Sequence, residues 1–180
     1  MQTLILVDDD DKFLGYASRE DCHHGDGLRH RAIAVILHNE KGEILLQKRR
    51  SSLWDGFWDL TGATHPLHLP ERDETYEESG ARFLHDEWNL ETPLMNLFAF
   101  TYFERFGTNC ENEYCALLVG EWNSEVHFNP EFAYDMCWEN INTCLEKLRE
   151  KPTRYTPWAI IAMEKLVQHP LGTILSSLSR

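Results

Sequence analysis

Leu28-Arg29-His30-Arg31-Ala32-Ile33-Ala34-Val35-Ile36-Leu37 runs into His38-Asn39-Glu40-Lys41-Gly42 and then Glu43-Ile44-Leu45-Leu46-Gln47-Lys48. Two β-rich runs on either side of an Asn/Gly turn predict a hairpin over residues 31–48. Upstream, residues 4–7, the acidic turn 8–12 and Phe13-Leu14-Gly15 read as a strand, a turn and a return. Trp54-Asp55-Gly56-Phe57-Trp58 is aromatic-rich and reads as a packed loop. From residue 73 to 88 the pattern turns helical, with acidic residues early, Arg82 four places after Glu78, and Asn89 as the stop. Residues 97–105 and 114–122 read as strands around a turn at Gly107, and 140–150 as a helix. Thr156-Pro157 supplies an N-cap and a first helical residue for the last helix. Strands with few helices predict an α/β (α+β) fold in which helices cover a mixed sheet.

A chain of 180 residues fits one compact domain, and 42% hydrophobic residues suffice for an ordinary core. A net charge of −13 argues against a nucleic-acid partner, because phosphate neutralisation needs clustered Lys and Arg. Against that background Lys48-Arg49-Arg50 is informative. Five cysteines form no CxxC pair and are odd in number, and no secretory hydrophobic region opens the chain, so they read as reduced intracellular thiols. No apolar run approaches the roughly 20 residues of a membrane span. The expectation is a soluble, cytoplasmic protein with no membrane partner.

Three histidines and two glutamates carry the chemistry. His23 and His30 lie in Asp-Cys-His-His-Gly-Asp-Gly-Leu-Arg-His, His65 in Thr-His-Pro, and Glu111 and Glu113 in Glu-Asn-Glu-Tyr. If the last segment is extended, both glutamates project to one face, and burying two neighbouring carboxylates calls for a cation. Mixed imidazole and carboxylate ligation suits Mn²⁺, Mg²⁺, Fe²⁺ or Zn²⁺. Taken singly, each of the five also fits a bland role: a surface acid, or a hydrogen-bonded imidazole.

Their order decides the matter. Leu-Arg-His-Arg-Ala at 28–32, the hairpin, Trp-Asp-Gly-Phe-Trp at 54–58, Thr-His-Pro-Leu at 64–67, Glu-Asn-Glu at 111–113 and Tyr-Thr-Pro-Trp at 155–158 closely resemble type I isopentenyl diphosphate isomerases. That family belongs to the Nudix superfamily, and the resemblance runs over roughly residues 19–163. It implies a single Nudix domain over 1–180, with a mixed sheet sandwiched by helices. It implies one divalent metal (Mn, Mg or Zn) held by His23, His30, His65, Glu111 and Glu113, and a second Mg²⁺ held by Glu87 against the substrate diphosphate. Glu113 matches the metal-linked acid/base glutamate, Tyr102 the active-site tyrosine, and Trp158 the aromatic face on which a carbocation rests. Arg19 and Arg50 match phosphate ligands, and Arg82 stands beside position 83, where another is common. Arg49 is expected on the opposite face. The implied partner is a small isoprenoid diphosphate, isopentenyl or dimethylallyl, bound by a monomer or homodimer active in isoprenoid biosynthesis.

One departure bears on activity. Leu60-Thr61-Gly62-Ala63-Thr64-His65-Pro66 stands where the family carries Asn-(Ser/Thr)-x-Cys-(Gly/Ser)-His-Pro, so the family's cysteine falls on Ala63. Moving a double bond by proton addition and removal needs two acid/base groups on opposite faces of the substrate, and alanine supplies none. Cys115 shares the face of Glu111 and Glu113, on the wrong side for the missing partner. The lysine usual before the aromatic loop is also absent from Ser51-Ser52-Leu53. The expectation is metal-dependent allylic proton transfer altered by the loss of the cysteine. Two alternatives stay open. A Nudix pyrophosphohydrolase would need Gly-x5-Glu-x7-Arg-Glu and further helical glutamates; anchored on Arg82, this chain gives His68, Glu74, Phe83, Asp86, Glu87 and Asn89. The other alternative is a catalytically silent prenyl-diphosphate-binding protein.

Overall fold

The computed structural model describes residues 2–178. Thr3–Val7 (β1) and Phe13–Ser18 (β2) pair antiparallel across the acidic turn, and Arg19–His23 (α1) follows directly. His30–His38 (β3) is the axis of the sheet. Glu43–Arg49 (β4), Trp58–Asp59 (β5) and Gly62–Thr64 (β6) come next, then Tyr76–Phe83 (α2), Met95–Phe106 (β7), Asn109–Glu121 (β8) and Ala133–Asn140 (β9). Three helices close the chain: Ile141–Glu150 (α3), Pro157–Leu166 (α4) and Pro170–Leu178 (α5). The sheet is mixed: β3 runs parallel to β8, while every other named ladder is antiparallel.

β3 is buried on both faces over Ala32–Leu37, which is why it reads as a continuous apolar run. Its alternate residues feed two cores. Ala32, Ala34 and Ile36 join Tyr102, Trp158 and the packed faces of α3, α4 and α5. Ile33, Val35 and Leu37 join Phe83, Leu84 and Trp88 beneath α2. The result is one α+β domain with helices on both faces of the sheet. Among the described residues no helix is long and apolar enough to cross a membrane.

The predicted hairpin forms only at its turn. β3 and β4 share a single register pair, His38↔Ile44. The rest of that edge of β3 goes to β6 (Ile33↔Thr64 to Val35↔Gly62) and to β1 (Leu6↔His30), while β4 splays away to pair with β9. Local pattern identifies both strands, but their partners are set by segments far along the chain. β9 itself escapes sequence reading, as does α5 after the helix expected to be last.

The helix expected from residue 73 starts at Tyr76, because Thr75 caps it. The Thr75 side chain accepts from the Glu78 N–H, and Glu78 reaches back to the Thr75 N–H. Glu78, so occupied, binds Arg72 at 2.6 Å rather than Arg82. α2 then widens into a π-helical turn over Leu84–Trp88, ended by Asn89 at φ 52°. The aromatic loop packs as expected, with Trp54 against Phe106 (4.8 Å between centroids) and edge-on to Trp158 (5.3 Å), although Trp58 already belongs to β5.

Candidate metal centre and adjoining cavity

Ser18 caps the short helix α1 by accepting from the Asp21 N–H, which fixes His23 at its last residue. His30 opens β3, directly opposite Glu113 in the parallel β3–β8 ladder. β8 is extended, so Glu111 and Glu113 share a face. His65 follows β6, which can lie tightly on α2 because Gly62 has no side chain: a Cβ there would sit 2.2 Å from the Phe83 ring. Four separate segments thereby place five buried side chains so that one ligand atom from each lies within 4.8 Å of the others.

Second contacts set the histidine tautomers. His23 Nδ1 lies 2.7 Å from the Arg19 carbonyl, and His30 Nδ1 lies 2.7 Å from the Leu28 carbonyl. Carbonyls only accept, so each Nδ1 carries a proton and each Nε2 is aimed at the centre. Burial lowers the His23 imidazole, but the neighbouring Glu111 carboxylate outweighs it and raises that group overall. His23 Nε2, His30 Nε2 and Glu111 Oε2 are buried without a hydrogen-bond partner, even though His23 Nε2 and Glu111 Oε2 stand 3.0 Å apart. The pair is close but misaligned for a mutual hydrogen bond, as two donors to one cation would be. Burial pushes the His65 imidazolium down to about 3, helped by His30 and His23, so His65 is neutral and able to ligate. Burial also raises Glu111, while the surrounding imidazoles overcome burial at Glu113 and hold it well below the usual carboxylate range. These donors fit a divalent cation.

Tyr102 donates its hydroxyl proton to Glu113 Oε2 at 2.5 Å, and burial next to Glu113 keeps the phenol well above its ordinary value. Beside the cluster lies a cavity of about 130 Å³, whose lining includes Arg19, Arg50, Ala63, Glu87, Tyr102 and Trp158. The π-turn carries Glu87 there, and burial, opposed by Arg49, pushes its carboxyl up to about 7. Arg82 is elsewhere: its guanidinium holds Glu74 at 2.8 and 2.9 Å and the His65 carbonyl at 2.9 Å, so it braces the His65 segment and does not line the cavity. Thr61 is consumed by the backbone of Leu37 and Leu45. Cys115 is buried outside the cavity lining, its thiol pushed well above normal by burial.

Arg49 corrects the face expected for it. Arg49 and Gln47 lie two apart on β4 and both line the cavity. Arg50 has already left the strand, and the β4–β9 register shifts between Lys48 and Arg49, so strict alternation no longer separates the two arginines. Sequence reading also missed Asp59. It is fully buried and accepts from Arg49 (2.9 Å), Thr156 Oγ1 (2.9 Å) and the Trp158 indole (2.8 Å). A charged residue inside Trp58-Asp59-Leu60 was the available signal, since a buried carboxylate demands partners.

The NUDIX domain signature matches residues 28–159. An isopentenyl-diphosphate Delta-isomerase of Haloarcula marismortui is 36% identical, covering 91% of this chain and 90% of its own length. This chain belongs to the isopentenyl-diphosphate isomerase family of Nudix proteins. Another member, from Halobacterium salinarum, is 33% identical over 91% of this chain and 79% of its own length. The Nudix fold is matched by a Deinococcus radiodurans crystal structure with TM-score 0.71, covering 91% of this chain and 98% of that one at 16% identity. Of the acidic positions that a Nudix hydrolase helix would use, Glu74 is tied to Arg82 and Asp86 is exposed beside His85, which leaves Glu87 alone at the cavity.

Proposed function

We propose that this protein catalyses metal-dependent allylic proton transfer on a small isoprenoid diphosphate, isopentenyl or dimethylallyl diphosphate. The observation that carries the reading is the Tyr102–Glu113 hydrogen bond at the edge of both the five-ligand cluster and the cavity. His23, His30, His65, Glu111 and Glu113 would hold a divalent cation, Mn²⁺, Mg²⁺ or Zn²⁺, which when bound supplies fixed positive charge that keeps Glu113 ionised. Tyr102, protonated at neutral pH, holds a proton at its oxygen next to the Glu113 carboxylate, so the pair can add a proton to one alkene carbon. The different proton then lost from the allylic carbon needs an acceptor on the other face of the substrate. Trp158 offers an aromatic face to the positive charge that develops on the substrate. Arg19, Arg49 and Arg50 bind the diphosphate, and Glu87 serves a Mg²⁺ that accompanies it. Arg82 acts through the His65 segment.

At the position of the family's cysteine, Ala63 carries no proton, so turnover is slow. This same feature favours a second reading, a silent prenyl-diphosphate-binding protein. The test incubates the purified protein and Mg²⁺ or Mn²⁺ with each diphosphate in D₂O, followed by NMR. Deuterium uptake or interconversion is the expected result, and Ala63→Cys is expected to raise the rate by about 10²-fold or more. Release of phosphate or pyrophosphate would put hydrolysis in its place. Thermal stabilisation by the diphosphates without product, and no gain from Ala63→Cys, would leave only binding.

A further inference from the structure

Asp59 touches neither the metal cluster nor the cavity, yet it joins the two cavity residues with the most distinct tasks. One oxygen, Oδ1, accepts the Trp158 indole N–H at 2.8 Å, the Thr156 hydroxyl at 2.9 Å and the Leu60 N–H at 2.8 Å. The other, Oδ2, accepts Arg49 Nη1 at 2.9 Å. Arg49 is therefore pinned from below, its guanidinium carbon 5.0 Å from the centre of the Trp158 ring. Its remaining donors are poorly used: Nη2 reaches the Leu53 carbonyl only at 3.5 Å, and Nε is buried with no partner. A part-buried guanidinium with unspent donors at a cavity wall is built for an anion.

The geometry points to Asp59 as a positioning residue that locks Arg49 and Trp158 into one unit, so that a diphosphate gripped by Arg49 is held in fixed register with the indole face. This rests on the proposed diphosphate substrate and adds the group that sets its placement. The charge balance agrees with it. Asp59 stands against Arg49 as its counter-charge in the free protein, which offsets the cost of a largely buried guanidinium. Its two oxygens accept from four donors, three on Oδ1 and Arg49 on Oδ2. A bound phosphate then completes the Arg49 fork from the cavity side without breaking the bond to Asp59.

The test uses Mg²⁺ and inorganic pyrophosphate with the full-length, metal-loaded protein in a calorimeter. Asp59→Asn keeps the size and an acceptor oxygen for the indole, but turns an amide N–H₂ toward Arg49, donor against donor. Pyrophosphate is expected to bind about tenfold more weakly at an unchanged one-to-one stoichiometry, the loss that a misplaced gripping group brings. A purely architectural role would lower the competent fraction and leave the dissociation constant alone, and that result overturns the inference. Should Asp59→Asn fail to fold, nitrogen-15 spectra of the unaltered protein read the same point. The Arg49 side-chain resonances, assigned by comparison with Arg49→Lys, should be resolved as a non-rotating guanidinium and shift on adding Mg²⁺ and pyrophosphate. A freely rotating, unresponsive guanidinium overturns the inference. Because pyrophosphate has no alkene, a protein that binds it through Arg49 but leaves both prenyl diphosphates unchanged loses the isomerase reading and keeps this one. A protein that does not bind pyrophosphate loses this one.

Discussion

At the scale of single residues, Glu113 is the point where the molecule's chemistry converges. It faces His65 at 3.1 Å and His30 at 3.7 Å through one oxygen and Tyr102 at 2.5 Å through the other. Tyr102→Phe removes the proton and keeps the ring packed. In the Ala63→Cys background the proton-transfer rate should fall by roughly 10²-fold or more, with little change in KM and an unchanged metal content by atomic absorption. An unaltered rate would remove Tyr102 from the reaction. The five residues that cluster here were legible in the sequence through their order and the family resemblance it carries, since each taken singly also fits a bland role. Asp59 and Arg49 were not, since their roles follow from what packs beneath the cavity and from a register shift at the end of a strand.

At the scale of elements, the π-helical turn after α2 does work that an α-helix would not. It re-phases the end of the helix so that Glu87 faces the cavity while Leu84 and Trp88 stay buried. Burial lifts the Glu87 carboxyl from its ordinary 4.5 to about 7. Below about 7 Glu87 keeps its proton and repels nothing but also binds no cation; above it, the carboxylate is available to Mg²⁺. Affinity for Mg²⁺ and pyrophosphate should rise as pH passes from about 6 to about 8, and Glu87→Gln should flatten that slope. A slope that survives the substitution belongs to another group. For the folded state the same shift runs the other way: without metal, Glu87 favours unfolding progressively as pH climbs from 4.5 to about 7. A helix around Arg82 and a stop at Asn89 were readable from spacing and residue type. The widened turn was not, because it is decided by how Leu84 and Trp88 seat under the sheet.

At the scale of the whole molecule, the proposed metal is a cross-link among α1, β3, the end of β6 and β8. Without a cation, two adjacent buried carboxylates repel in a chain whose net charge is already −13. Bound metal at 100 times its dissociation constant contributes about 2.7 kcal/mol. Stripping it with a chelator should therefore lower the calorimetric melting temperature by roughly 5–10 °C, with recovery on adding Mn²⁺ or Zn²⁺. An unmoved transition would count against the cluster as a metal centre. The fold class and the longer strands and helices from β3 to α4, β9 excepted, came through from local pattern and from the ordered motifs. The short α1 and β6, the last helix α5, the splayed β3–β4 hairpin and the addition of β9 did not, the last two depending on pairings between distant parts of the chain.

The parallel β3–β8 ladder has a kinetic consequence. It sets residue 30 beside residue 113, and no turn brings these strands together, so a long loop must close before either gains from the other. The ligands meet only when that closure is complete. A metal held there would thus act after the folding barrier and not before it: it should slow unfolding and leave the rate of folding nearly as it is for the apoprotein.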